Sequence, residues 1–195
     1  MTQYEMVVGY TSNVVNRLLK TPSESAARAS LANLRRGVGH KPGELPQLFG
    51  SIITDMPEEL LGTRGANRSE WAVYTAVTLF ALHQQGKDRS IQPMHRAGIS
   101  LGDAANRLIK EPDDRNRVGR RFYPAATAES IEELTYHLRG LVTLFRANDI
   151  PLDFAMLAGD IYRYQFPEKR DEIRMKWCRD FSRYHGENRV SEENN

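Results

Sequence analysis

The chain has 195 residues, 40% of them hydrophobic, and its 27 lysines and arginines nearly balance its 25 aspartates and glutamates. This length is enough to bury a core in one domain or in two packed lobes. No apolar run approaches the roughly 20 residues that span a bilayer, and the N-terminus lacks a signal-peptide pattern. The single cysteine, Cys178, excludes an internal disulfide. We therefore expect a cytoplasmic protein without membrane contact, and the net charge of +2 permits a nucleic-acid partner without requiring one.

Apolar residues recur at helical spacing along nearly the whole chain, and no segment alternates long enough to predict a strand. The first predicted helix covers the apolar stripe from Val7 to Leu19. The next begins at TPSE, where Thr21 is the predicted N-cap, Pro22 the first helical residue and Glu24 the acid of a capping box.

Seven further helices are predicted after a Gly- and Pro-rich loop. Ser100 and Ser130 are predicted N-caps, each with an acid three residues later, and Pro151 and Pro167 are predicted to open the last two helices. Residues 69–85 are the most apolar segment and are expected at the centre. The predicted helices lie at about 46–54, 69–85, 100–110, 113–127, 130–146 and 152–164, and from 167 onward.

The predicted fold is therefore all-α, a compact bundle of about eight to ten helices in two lobes. The polar, Gly-containing segment 87–98 is the predicted linker between an N-terminal helical lobe, residues 1–86, and a C-terminal helical lobe, residues 99–185. Residues 186–195 have nothing to bury and are predicted to form a disordered tail.

Residues that could carry catalysis are scarce. The segment GISLG, residues 98–102, matches G-x-S-x-G, but that motif requires a strand before it, so Ser100 is better explained as a helix cap. The five histidines and one cysteine show no spacing typical of a metal site, and His137 is expected to be a half-buried packing residue. Phosphate loops and dinucleotide fingerprints are also absent. We expect no enzyme activity, no metal and no cofactor.

Arginines form the most distinctive pattern in the sequence. They repeat beside the core stripes of several predicted helices, with few acids among them, and the guanidinium fork suits paired phosphate oxygens. An ordinary solvated helix face is the alternative explanation for each one. The candidate nucleic-acid-binding residues are Arg28, Arg35, Arg36, Arg107, Arg117, Arg120, Arg121, Arg139 and Arg146.

An ordered series of short motifs resembles one known family. The motifs are ARASLANLRRG (27–37), GELP (43–46), AVTLFALHQ (76–84), SLGDAANRL (100–108), GRRFYPAATAESIEELTYHLRGLVTLFR (119–146), LDFAMLAGDIYRYQ (152–165) and IRMKWCRDF (173–181). In this order, and over about residues 15–185, the chain resembles CasB, the small subunit of the type I-E CRISPR surveillance complex Cascade.

The resemblance implies a non-catalytic helical subunit that stabilises the R-loop by holding the displaced non-target DNA strand without sequence specificity. It also implies contacts with other Cascade subunits, with the crRNA-containing ribonucleoprotein, and with a second copy of the chain. The arginines in matching motifs are Arg35, Arg36, Arg120, Arg121 and Arg139, with Arg28 and Arg107 close by. Two alternatives stay open: a scaffold that grips guide RNA or neighbouring proteins without touching DNA, and a hydrolase that uses Ser100 or an unseen metal site.

Overall fold

The computed structural model describes residues 1–183, so the predicted tail, 186–195, and His185 lie outside the described residues. Within 1–183 there are nine α-helices, a short 3-10 turn at Glu58–Leu60 and no strand, which confirms the all-α prediction. The helices are α1 Gln3–Lys20, α2 Glu24–Arg35, α3 Pro46–Ile53, α4 Arg68–His83, α5 Leu101–Asn106, α6 Asp114–Thr127, α7 Ile131–Ala147, α8 Phe154–Tyr164 and α9 Pro167–Ser182.

Helix α4 is the central element, as the sequence predicts. Every residue from Ala72 to Ala81 is buried, because α4 packs against α1, α2, α7 and α8 around its circumference. Its start is set by a capping box in which the Asn67 side chain accepts from the Glu70 amide and the Glu70 carboxylate accepts from the Asn67 amide. No described helix combines the length and apolar character needed to cross a bilayer.

The predicted start of α2 is wrong by two residues. Ser23, not Thr21, is the N-cap, and its hydroxyl oxygen accepts from the Ala26 amide at 3.2 Å. Thr21 instead closes α1, where its hydroxyl donates to the Arg17 carbonyl at 2.8 Å. The chain between the two helices is short. The Thr21 hydroxyl therefore bonds to the end of α1, and the Ser23 hydroxyl caps the start of α2.

The predicted starts of three other helices agree with the structure to different degrees. Ser100 caps α5 in a full capping box with Asp103, as predicted. Ser130 caps α7, but the Glu133 carboxylate accepts from the Glu129 amide rather than completing the box. Helix α8 begins at Phe154, after an Asp153 cap, rather than next to Pro151.

The segment 87–98 is held firmly to the end of α4. The Gln84 side-chain amide donates to the Lys87 and Gln92 carbonyls, and its oxygen accepts from the Met94 amide. Helices from the two sides of this segment pack together, α1 and α4 against α8 and α4 also against α7, and buried residues form a continuous core through them. The division into two lobes stays a prediction.

Candidate nucleic-acid interface

Helices α2 and α7 both pack against α4 and run along it in opposite directions. The first turns of α2 lie at the C-terminal end of α4, because Arg28 and Gln85 line the same groove. The other end of α2 lies near the middle of α4, where the Tyr74 hydroxyl donates to the Gly37 carbonyl at 3.2 Å. Helix α7 brings its last turn to the C-terminal end of α4, where Arg146 Nη1 donates to Gln85 Oε1 at 2.8 Å. Arginines of α2 and α7 therefore flank the same region of α4.

A groove of about 450 Å³ lies between α2 and the segment that follows α4. Its polar lining mixes cationic groups, side-chain amides and two carboxylates. Leu31 and Ala32 supply the apolar part. The remaining lining residues are Glu24, Arg28, Arg35, Gln84, Gln85, Gly86, Lys87, Asp88 and Arg89.

The two α2 arginines in this groove differ in their partners. Arg28 pairs with Glu24 at 2.9 Å, with both side chains exposed. The other Glu24 oxygen binds Arg89, also at 2.9 Å, and this hydrogen bond together with that from Arg28 lowers the pKa of the Glu24 carboxyl. Arg35 has no carboxylate within ion-pair distance anywhere in residues 1–183. Exposed ion pairs contribute only about 0–1 kcal/mol, so Arg28 can exchange Glu24 for a phosphate at small cost.

Arg139 and Arg146 are two turns apart on one side of the α7 core stripe, as the sequence predicts. Arg139 Nη1 lies 3.3 Å from the position that a Cβ on Gly39 would occupy, in the loop that follows α2. Arg146 Nη1 also lies 3.4 Å from the Leu82 carbonyl oxygen, so this arginine partly caps the end of α4. Arg139 has no carboxylate partner among the described residues. We call Arg28, Arg35, Arg139 and Arg146 the α2–α7 surface.

The other predicted arginines lie elsewhere or have local roles. Arg36 is exposed and ends α2, and Arg107 is exposed and ends α5. Arg117 pairs with Asp114 at 2.6 Å, one turn earlier on α6, so an acid lies beside the first of the three candidate arginines of this helix. This pair is exposed on the arginine side and does not by itself remove Arg117 from a surface role.

Arg120 and Arg121 project from α6 into solvent, away from the buried residues Val118, Phe122 and Ala125. Helix α6 packs against α7 and α9. Within residues 1–183 no hydrogen bond or ion pair joins the α6 arginines to the α2–α7 surface. The described contacts therefore connect four of the nine predicted arginines through α2, α7 and the end of α4, and they do not connect the α6 group to these four.

Sequence patterns missed three residues beside the α2–α7 surface. Gln85 links Arg146 to the groove, while Lys87 pairs with Asp149 and Arg89 donates to the Leu19 carbonyl at 2.9 Å. The Arg89 side chain is only 10% exposed, so it mainly braces the end of α1. These residues lie in the loop after α4, and in a loop the spacing of apolar residues does not predict which way a side chain points.

Ser100 has the environment of a helix cap. Its hydroxyl oxygen accepts from the Asp103 amide at 3.1 Å and lies 2.7 Å from Asp180 Oδ2. Gly98 adopts a left-handed φ of +83°, and a Cβ on Gly102 would overlap the Trp177 carbonyl oxygen of α9. Turn geometry and close helix packing therefore account for both glycines of the G-x-S-x-G match.

The described histidines form no cluster with other potential ligands, since no group of three or more His, Cys, Asp or Glu side chains in residues 1–183 could hold a metal ion. His137 is half-buried, as predicted, and its Nε2 lies 3.9 Å from Glu133 Oε1.

Comparison with known proteins gives consistent matches. The model for the CRISPR-associated protein Cse2 family matches residues 30–181. The crystal structure of CasB from Thermobifida fusca is similar with a TM-score of 0.69 and 32% identity, covering 93% of this chain and 98% of that chain. No curated protein matches the sequence.

Two more distant structures share the fold. A CRISPR-associated protein of the Cse2 family from Thermus thermophilus has a TM-score of 0.62 and 22% identity, covering 93% of this chain and 98% of that one. A chain of a CRISPR RNA-guided surveillance complex has a TM-score of 0.65 and 20% identity, covering 90% of this chain and 95% of that one. The family match over most of the sequence and the identity to CasB along nearly its whole length show that this chain belongs to the Cse2 family of CRISPR-associated proteins.

Proposed function

We propose that this chain is the small subunit of a CRISPR RNA-guided surveillance complex and holds the displaced DNA strand non-specifically through its phosphates. Family membership and the fold shared with a chain of such a complex support the first part. The other subunits, the crRNA ribonucleoprotein and a second copy of this chain are its proposed partners, in the cytoplasm and without catalysis by this subunit.

The observation that carries the strand-holding role is the pair Arg35 and Arg139. They lie on two helices that flank the same stretch of α4, and neither has a carboxylate partner among the described residues. Planar guanidinium groups bind phosphate oxygens in pairs. Opening a DNA duplex against a guide RNA is a nearly balanced exchange, so a few phosphate contacts on the displaced strand are enough to favour the open form.

The α2–α7 surface is tested with the double variant Arg35→Glu/Arg139→Glu in the assembled complex. We expect weaker binding of target DNA and a smaller salt dependence, because each single-strand phosphate contact contributes about 0.7 to the slope of log K against log salt. The matched control is Arg64→Glu/Arg179→Glu, which makes the same charge change at exposed arginines elsewhere. Equal binding and equal salt slopes in the two double variants would reject the assignment.

The α6 arginines need a separate variant, Arg120→Glu/Arg121→Glu, because no described hydrogen bond or ion pair connects them to the α2–α7 surface. If this variant alone lowers the salt slope, the strand follows α6 instead of the α2–α7 surface. If either variant fails to enter the complex, its arginines grip guide RNA or a neighbouring protein, which is the scaffold alternative. Co-purification of the variant subunit with the complex distinguishes these outcomes.

A further inference from the structure

Tyr136 is the most exposed aromatic residue in the part of the chain that the structure describes. It lies on α7 with 74% of its surface accessible. Among the described residues its one aromatic neighbour is His137, whose ring lies at a centroid distance of 5.2 Å and an interplanar angle of 75°. Tyr123, the other exposed tyrosine, packs instead against Phe122 and Phe181 and fills the space beside Gly119. Tyr136 therefore presents an open ring face that packing does not explain.

The position of Tyr136 relates it to the α2–α7 surface. Arg139 is three residues later, and side chains at this spacing are neighbours on a helix, about 5–6 Å apart at Cβ. Glu132, four residues earlier, pairs with Lys41 from the same loop that the Arg139 guanidinium approaches. One turn after Tyr136, Gly140 has no side chain, and a Cβ there would meet nothing within 4 Å. Open space at Gly140 thus lies one turn from Tyr136, on the same helix as an arginine that has no carboxylate partner among the described residues.

We propose that Tyr136 stacks on a base of the same single strand whose phosphate Arg139 binds. This inference rests on the proposed function and adds the nucleobase to the ligand. A nucleotide carries a base and a phosphate within the reach of two neighbouring side chains, so an aromatic ring beside an arginine suits single-stranded nucleic acid. Stacking is tolerant of sequence because every base has a π-face, and it contributes about 1–3 kcal/mol per base.

The experiment compares Tyr136→Ala with Tyr136→Phe in the assembled complex, bound to a target whose displaced strand is intact or abasic. Tyr136→Ala is expected to weaken binding to the intact strand by about 5- to 150-fold. The salt slope should stay unchanged, because no phosphate contact is lost. Tyr136→Phe keeps the ring and should bind like the unmodified protein. The abasic strand should show no difference between Tyr136→Ala and the unmodified protein.

Met175→Ala is the matched control, since Met175 is an exposed apolar residue, 48% accessible, beside Arg179 on α9. Normal binding by Tyr136→Ala, or an equal loss on abasic DNA, would overturn the stacking proposal. If the arginine double variant still lowers the salt slope in that case, the phosphate-holding role stands alone. Loss of Tyr136→Ala from the complex would assign Tyr136 to a protein contact and reject stacking.

Discussion

The arginines differ in whether their ion-pair partner lies one turn away in the sequence or is brought in by the fold. Arg28 and Arg117 each have an acid one turn earlier, which the sequence already displays. Arg174 is different: its Nη2 donates to the Ala128 carbonyl at 3.0 Å and pairs with Glu129 at 2.7 Å, across 45 residues. It braces the junction between α6 and α7, and nothing in its spacing along α9 predicts this. Helical spacing identifies acids one turn away but not partners brought in by the fold.

His83 leads to a prediction about pH and stability. It is fully buried, its ring nitrogens have no hydrogen-bond partner among the described groups, and burial lowers its pKa to about 3, with Arg146 and Lys87 adding to the effect. In the unfolded chain the histidine pKa is about 6.5. Between about pH 6.5 and pH 3 the unfolded chain therefore binds a proton at His83 and the folded chain does not. Stability should therefore fall as pH falls through that window, by about 2 kcal/mol for His83 between pH 7 and pH 5.

Urea unfolding at both pH values measures this contribution. His83→Leu should remove about 2 kcal/mol from the difference in unfolding free energy between pH 7 and pH 5. A smaller pH dependence should remain, because burial also lowers the pKa of His95. Identical pH dependence in His83→Leu and the unmodified protein would contradict the prediction.

At the scale of helices, periodicity and caps predict most of the architecture because both are local. The stripe at Ile173, Trp177 and Phe181 is buried as the spacing requires. The error at the start of α2 arose because Thr21 and Ser23 are both good caps and the chain between α1 and α2 is short. Whether Thr21 or Ser23 caps α2 depends on how α1 and α2 pack together, and the short sequence motif TPSE does not contain that information.

Two glycines lead to a prediction at the scale of helices, because substitution by alanine should have opposite effects on stability at the two positions. Gly102 lies where α5 packs against α9, and an added Cβ would overlap the Trp177 carbonyl oxygen. Gly102→Ala should therefore destabilise the fold by about 1–3 kcal/mol. Gly9 in α1 has open space around it, so Gly9→Ala should stabilise by about 0.5–1 kcal/mol. Thermal unfolding of the two variants checks both signs, and destabilisation by both would contradict the packing argument.

For the whole molecule, the distribution of charge carries more information than its sum. A net charge of +2 leaves nucleic-acid binding undecided, whereas the antiparallel placement of α2 and α7 on α4 brings arginines from distant segments together. The α6 arginines share the same composition, but within residues 1–183 no hydrogen bond or ion pair links them to the α2–α7 surface. A surface built from two helices depends on their relative rotation, which neither helix determines alone.

Contacts between the two halves of the chain lead to a prediction about cooperativity. Since α1 and α4 pack against α8, and α4 also packs against α7, we expect one unfolding transition in calorimetry, with calorimetric and van't Hoff enthalpies that agree. Two separate transitions, together with a protease-sensitive segment at 87–98, would instead support independent lobes.

Residue order alone establishes that this protein is helical, where most helices begin, and which family it resembles, because each depends on residues near one another or on motifs in order. It also shows that arginines avoid the core stripes. The packing of the helices determines which arginines meet, which are tied to carboxylates, and that Tyr136 stands exposed on the helix that carries Arg139. Those properties depend on how helices turn and pack against α4, and packing joins residues that the chain keeps far apart.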